Sequence, residues 1–239
     1  LQQVITDQVN KPTLLIIDDN NDIRLYERTL LQEDYFVLEA SDGKDGLELA
    51  KKEVPDLVVC DVMMPVMDGL EFTEQLKTHT ATSHIPVIML TAKNLEEQRA
   101  EGYEHGADSY ITKPFHSKVL LARIENLLKQ RKLLKNVYQS SPSAEKEIEE
   151  SHLDDRDKQF IKQLQSIIQK NLGDSDFGVE EIGKQIGLSR VQLYRKVKAM
   201  TGSSVVDLLR KARLAKAHRL LESRSMSISE VAYEVGFSA

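Results

Sequence analysis

Five short apolar runs separated by helix-like stretches dominate the first half of the chain and leave it few possible folds. They are TLLII (13–17), YFVLEA (35–40), DLVVC (56–60), PVIML (86–90) and DSYIT (108–112). The runs are nearly continuous rather than alternating, as in strands buried on both faces of a parallel sheet. Between them apolar residues recur at helical spacing: Ile23, Tyr26, Leu30 and Leu31 in the first stretch, and Val119, Leu120, Ile124, Leu127 and Leu128 in the last. Five βα units in succession predict an α/β domain, doubly wound around a five-stranded parallel sheet.

The second half reads differently. From Asp157 onward there are no strand-like runs, and helical patterns over 158–171, 178–186, 189–200, 204–222 and 227–235 predict an all-α domain. The stretch YQSSPSAEKEIEES (138–151) is rich in Ser and acids and reads as a linker. The expected organisation is an upstream leader over 1–11, the α/β domain over 12–134, a linker over 135–157 and the helical domain over 158–239. VEEIGKQIGLS (179–189) resembles ISEVAYEVGFS (228–238), as two copies of a helix-turn-helix would. The second copy stops at Ala239, where its own reading helix is expected, and Leu1 is not a start methionine; both suggest a piece of a longer protein.

Charge divides along the same line. Residues 1–134 hold 15 Lys and Arg against 23 Asp and Glu, whereas 184–224 holds 11 against two. A basic helical half suits a polyanionic partner. No apolar stretch is long enough to span a bilayer, so no direct membrane contact is expected. The single cysteine, Cys60, excludes an intramolecular disulfide framework and a multi-thiolate zinc site, and fits a cytoplasmic location.

Chemistry concentrates at the expected carboxyl ends of the strands, where a doubly wound sheet forms its ligand crevice. Asp18 and Asp19 follow the first run, Asp61 the third, Thr91 the fourth and Lys113 the fifth. Clustered carboxylates suit Mg2+, and a carboxylate with a metal and an ammonium beside it can take a phosphoryl group. LLIIDDN, DLVVCDVMMPVMDGLE, IPVIMLTAK and GADSYITKPF together resemble the signature segments of response-regulator receiver domains, over about residues 13–130. The resemblance implies that Asp61 is the phosphoacceptor, and that Asp18, Asp19, Asp61 and the Met63 carbonyl hold Mg2+. It further implies that Thr91 and Lys113 contact the phosphoryl oxygens, that Tyr110 is an aromatic switch, and that Pro114 follows a cis bond.

Other residues here read as structural. VMMPVM (62–67) is expected to be core and turn, Cys60 to face the packed interior, and GKDG (43–46) not to be a phosphate loop. His79, His84, His105 and His116 lack ligand-like spacing and are expected on the surface.

GVEEIGKQIGLSRVQLYRKVKAMTG (178–202) reads as helix, turn at Gly187, helix. Ile182 and Ile186 are expected to pack on Leu193 and Val197, with Ser189 as the N-cap of the second helix. The segment resembles AraC-type helix-turn-helix domains over about 158–239, with the connecting helix matched by SSVVDLLRKARLAKAHRLLES (203–223). The resemblance implies that Val191, Tyr194 and Arg195 face bases of double-stranded DNA, with Arg190, Lys196 and Lys198 near its backbone.

The combined expectation is a phosphorylation-dependent transcription regulator. It is not itself an enzyme; it receives its phosphoryl group from a histidine kinase and pairs as a homodimer when phosphorylated. The alternative is the cytoplasmic C-terminal portion of a membrane-bound hybrid histidine kinase. A stand-alone aspartyl-phosphate phosphatase fits less well, because the chain has adjacent Asp18–Asp19 in place of D-x-D and no substrate cap.

Overall fold

The computed structural model describes residues 11–92, 106–140, 155–223 and 226–237, with 132–140 as backbone only. The chain divides into two compact units, Leu1–Arg131 and Lys132–Ala239.

The first unit holds five strands: β1 (Thr13–Ile17), β2 (Phe36–Ala40), β3 (Leu57–Asp61), β4 (Val87–Ala92) and β5 (Ser109–Lys113). All pair in parallel, in the order β2-β1-β3-β4-β5. This is the doubly wound α/β fold that the five runs predict, with each strand within a residue or two of its run. Helices α1 (Asn21–Leu31), α2 (Gly43–Glu53), α3 (Gly69–Thr78) and α4 (Ser117–Ser140) accompany them. Two apolar layers sandwich the sheet. Leu15, Ile17, Val58, Cys60 and Met89 face α2 and α3 through Leu47, Phe72 and Leu76. Leu14, Ile16, Val59, Ile88 and Leu90 face α1 and α4 through Leu31, Leu120 and Ile124. Strands with apolar residues on both faces are the physical origin of the unbroken runs.

Two sequence readings need correction here. Tyr26 is half exposed, and the buried stripe of α1 instead carries Glu27 at 1% exposure. A stripe that includes Ile23 and Leu30 has room for residue 26 or 27 at its flank, and Leu31 pulls the centre toward 27. His84 is buried under the turn before β4 rather than on the surface. His116 is exposed, His79 is intermediate, and His105 lies outside the described residues. GKDG opens α2, where Gly43 and Gly46 press against Met67 and Ile17.

The second unit is helical: α5 (Asp155–Lys170), α6 (Val179–Ile186), α7 (Arg190–Thr201), α8 (Val205–Glu222) and α9 (Ile228–Glu234). Of the expected linker over 135–157, its first residues belong to α4 and its last to α5, and 141–154 lies outside the described residues. Gly187 ends α6 at φ +79, a left-handed conformation that costs glycine least and turns the chain into α7. Ser189 caps α7, accepting from the Gln192 amide while the Gln192 side chain accepts from the Ser189 amide. Ile182, Leu193 and Val197 are fully buried, and Ile186 is partly so. None of the described helices is long and apolar enough to cross a membrane.

Candidate functional site

The parallel arrangement brings every strand's carboxyl end to one edge, and the five expected residues stand along it. Asp18 follows β1, Asp61 ends β3, Thr91 is the next-to-last residue of β4 and Lys113 ends β5. Lys113 Nζ lies 2.7 Å from Asp18 Oδ2 and 2.6 Å from Asp61 Oδ1, so one ammonium joins carboxylates from two strands. The Asp18 side chain is 1% exposed, that of Asp61 12% and that of Lys113 24%. The cluster therefore has a buried base and an open mouth. Asp61 Oδ2 accepts from the Met63 amide at 3.2 Å, and Asp18 Oδ1 from the Asn20 amide at 2.9 Å. Asp19 is exposed beside them, and Thr91 is buried.

Burial pushes the Asp61 carboxyl above the ordinary range, and the hydrogen bond and charge of Lys113 only partly offset this. For Lys113, burial acts downward, but hydrogen bonds to Asp18 and Asp61 outweigh it and the amine is raised. The lysine is thus held charged where charge on a transferring group would develop.

Among the described residues, no three His, Cys, Asp or Glu side chains are spaced to hold a metal ion. Asp18, Asp19 and Asp61 do not form a three-carboxylate cage, because Asp18 and Asp61 turn toward the Lys113 amine instead. The donors nonetheless suit a hard cation. They are all oxygens, and the two carboxylates of Asp18 and Asp61 meet one ammonium, with Asp19 exposed next in sequence.

Tyr110 is buried on β5 among the residues packed against α2 and α3. The Lys113–Pro114 bond is cis. Gly69, at the start of α3, sits so close to Asp61 that an added Cβ would lie 2.2 Å from the Asp61 carbonyl oxygen.

Sequence reasoning missed two contributors. Arg24 Nη1 donates to the Asp18 carbonyl at 2.6 Å. Glu27 is buried with its Oε1 lacking a hydrogen-bond partner, and burial, assisted by the Asp18 charge, pushes its carboxyl up to about 8. The available signal was a carboxylate within the apolar stripe of α1.

On the helical side, Val191 and Tyr194 on α7 are 53% and 49% exposed. Lys198 is exposed and caps its own helix through the Gly202 carbonyl; Arg190 is exposed near Glu180; Arg195 is intermediate. Lys196 departs from the expected set. It is 1% exposed, with Nζ 3.1 Å from Asp157 Oδ1 and 4.6 Å from the Phe160 ring centre. The helical turn that exposes residues 191, 194 and 198 carries 193, 196, 197 and 200 inward.

A five-stranded parallel sheet with a lysine-bridged carboxylate pair at its carboxyl edge defines an α/β domain equipped to handle a small anionic group. Residues 14–125 match the response regulator receiver domain family and residues 182–239 a helix-turn-helix domain family. The chain thus carries a response-regulator receiver domain followed by an AraC-type helix-turn-helix domain. It is 37% identical over its whole length to Histidine kinase P4 of Formosa agariphila, covering 17% of that protein. It is 41% identical over 142 residues to the transcriptional regulatory protein SrrA of Staphylococcus aureus, covering 59% of this chain and 57% of that one. The chain thus spans less than two thirds of each of these relatives. A putative response regulator from Chloroflexus aurantiacus is similar to half of the chain and 99% of its own, at 33% identity and a TM-score of 0.49.

Proposed function

We propose that this chain is a phosphorylation-dependent transcription regulator in which Asp61 accepts a phosphoryl group from a histidine kinase. In the transfer the kinase's N–P bond breaks, an Asp61 carboxylate oxygen forms the new O–P bond, and the imidazole nitrogen leaves with its electron pair. The reading is carried by the partly exposed Lys113 ammonium 2.6 Å from the Asp61 carboxylate at the carboxyl edge of the sheet. Asp18, Asp19, Asp61 and the Met63 carbonyl form the oxygen donor set for Mg2+. When bound, Mg2+ neutralises charge on the transferring oxygens. Lys113 holds one phosphoryl oxygen and Thr91 another, while Tyr110 responds by packing further inward. The phosphorylated form pairs, bringing two helical domains onto double-stranded DNA, with Val191, Tyr194 and Arg195 toward the bases and Arg190 and Lys198 toward phosphates. The setting is cytoplasmic.

Exposure to acetyl phosphate with Mg2+ tests this by intact mass. The unmodified chain gains one phosphoryl group and Asp61→Asn gains none; uptake by Asp61→Asn would exclude Asp61 as the acceptor.

A second reading places the same chemistry at the C-terminal end of a hybrid histidine kinase. The 37% identity of the whole of this chain to a segment making up 17% of Histidine kinase P4 is the observation behind it. Sequence upstream of Leu1 that encodes a kinase core supports this reading, and a short leader supports a free-standing regulator.

A further inference from the structure

We infer that Asp157, acting through Lys196, is a positioning residue for the reading helix α7, fixing how that helix is rolled about its axis and so which side chains it presents to DNA. The inference rests on the DNA-binding reading above.

Most of what holds α7 is apolar. Leu193, Val197 and Met200 are buried, but such contacts are non-directional and tolerate small rotations. The Lys196 contact is different. Its ammonium is sealed from water and held against α5 by the Asp157 carboxylate at 3.1 Å and the face of Phe160 at 4.6 Å. Asp157 and Phe160 are three residues apart, hence neighbours on one face of α5. An ammonium in such a place cannot swing away without losing its counter-charge, so the pair sets a narrow angular range for α7. On the far side of the same turns lie Val191, Tyr194 and Lys198. Rolling α7 moves these side chains across the base edges while leaving the overall positive charge of the domain unchanged.

Direct readout depends on side-chain placement to within a base pair, whereas phosphate attraction does not. Loss of the pair is therefore expected to reduce sequence selectivity rather than general DNA affinity. Asp157 stands in the first turn of α5, the first described helix after residues 141–154. Any change in that turn is felt at α7.

The test uses the full 239-residue chain as Asp157→Asn, Lys196→Met and the double variant Asp157→Leu/Lys196→Met. Binding is measured to a duplex that the unmodified chain enriches from a randomised pool, and to an unrelated duplex of equal length. All measurements are made well below the lowest melting temperature. Asp157→Asn is expected to weaken binding to the enriched duplex about tenfold, the scale of one misread base pair, and binding to the unrelated duplex less than about twofold. The apolar double variant is expected to recover the melting temperature without recovering selectivity. Equal loss on both duplexes, or selectivity that returns with the melting temperature, overturns the inference. If the unmodified chain enriches no duplex, the DNA-binding reading fails, and amide exchange then decides the positioning role. Faster exchange confined to α7 in Asp157→Asn supports it; exchange that is unchanged, or raised evenly over α5 to α9, overturns it.

Discussion

Each half of the molecule sets a lysine against acidic side chains. Lys113 bridges two carboxylates at the carboxyl edge of the sheet with 24% of its side chain exposed, while Lys196 meets the Asp157 carboxylate inside a helical core with 1% exposed. The Lys113 contacts measure 2.7 and 2.6 Å and the Lys196 contact 3.1 Å. Their difference in access to water separates a site built for chemistry from one built for placement. At the sheet edge a third carboxylate, Asp19, stands beside the pair, and an incoming cation or anion can exchange with existing partners. In the helical core both charged groups are shut away from water, at 1% and 6% exposure.

Four measurements break or sharpen that contrast. The largest effect is expected from Lys196→Ala, which removes the ammonium 3.1 Å from the buried Asp157 carboxylate. Denaturant unfolding of the helical half is expected to show a loss of roughly 3–5 kcal/mol. A loss below about 1 kcal/mol would put the pair in the class of surface bridges.

Next comes Glu27, whose folded-state carboxyl is raised to about 8 from an ordinary value of 4.5. A raised value means that the folded chain holds the proton more tightly than the unfolded chain. The stabilisation is complete below about pH 4.5 and is lost as pH rises through about 8, amounting to roughly 2–4 kcal/mol over that window. Glu27→Gln, which carries no titrating proton, is expected to flatten that part of the pH–stability curve. A curve identical to the unmodified chain's would remove Glu27 from the account.

Lys113→Ala is expected to make stability more dependent on Mg2+, because Asp18 and Asp61 then repel without an ammonium between them. The added stabilisation by saturating Mg2+, relative to the unmodified chain, is expected at about 1–2 kcal/mol by thermal melting. The smallest change is expected from Arg28→Ala. It removes a 3.0 Å pair with Glu39 whose side chains are 49% and 31% exposed, at a cost below about 0.5 kcal/mol.

The strands were readable because burial on both faces writes itself as unbroken apolar runs, and Thr13–Ile17 emerges with its boundaries unchanged. Asp18, Asp61 and Lys113 were readable because parallel topology brings strand ends together whatever the intervening sequence. Two things were not readable. Periodicity finds an apolar face but cannot say that a charged residue lies on it, which hides Glu27, and the AraC-type resemblance alone puts Lys196 near the DNA backbone beside its basic neighbours. The partner that makes Lys196 a buried residue, Asp157, lies 39 positions away, and nothing local in either segment announces the pair. The angle between Arg195 and Lys196 on α7 decides which of two adjacent cations faces outward, and only packing sets that angle.

The close approach of Gly69 to the Asp61 carbonyl leaves no slack between the acceptor strand and the first turn of α3. Backbone meets backbone there, with no room for even one side-chain carbon between the end of β3 and the start of α3. Gly69→Ala would jam that joint, shifting helix or strand before any ligand arrives.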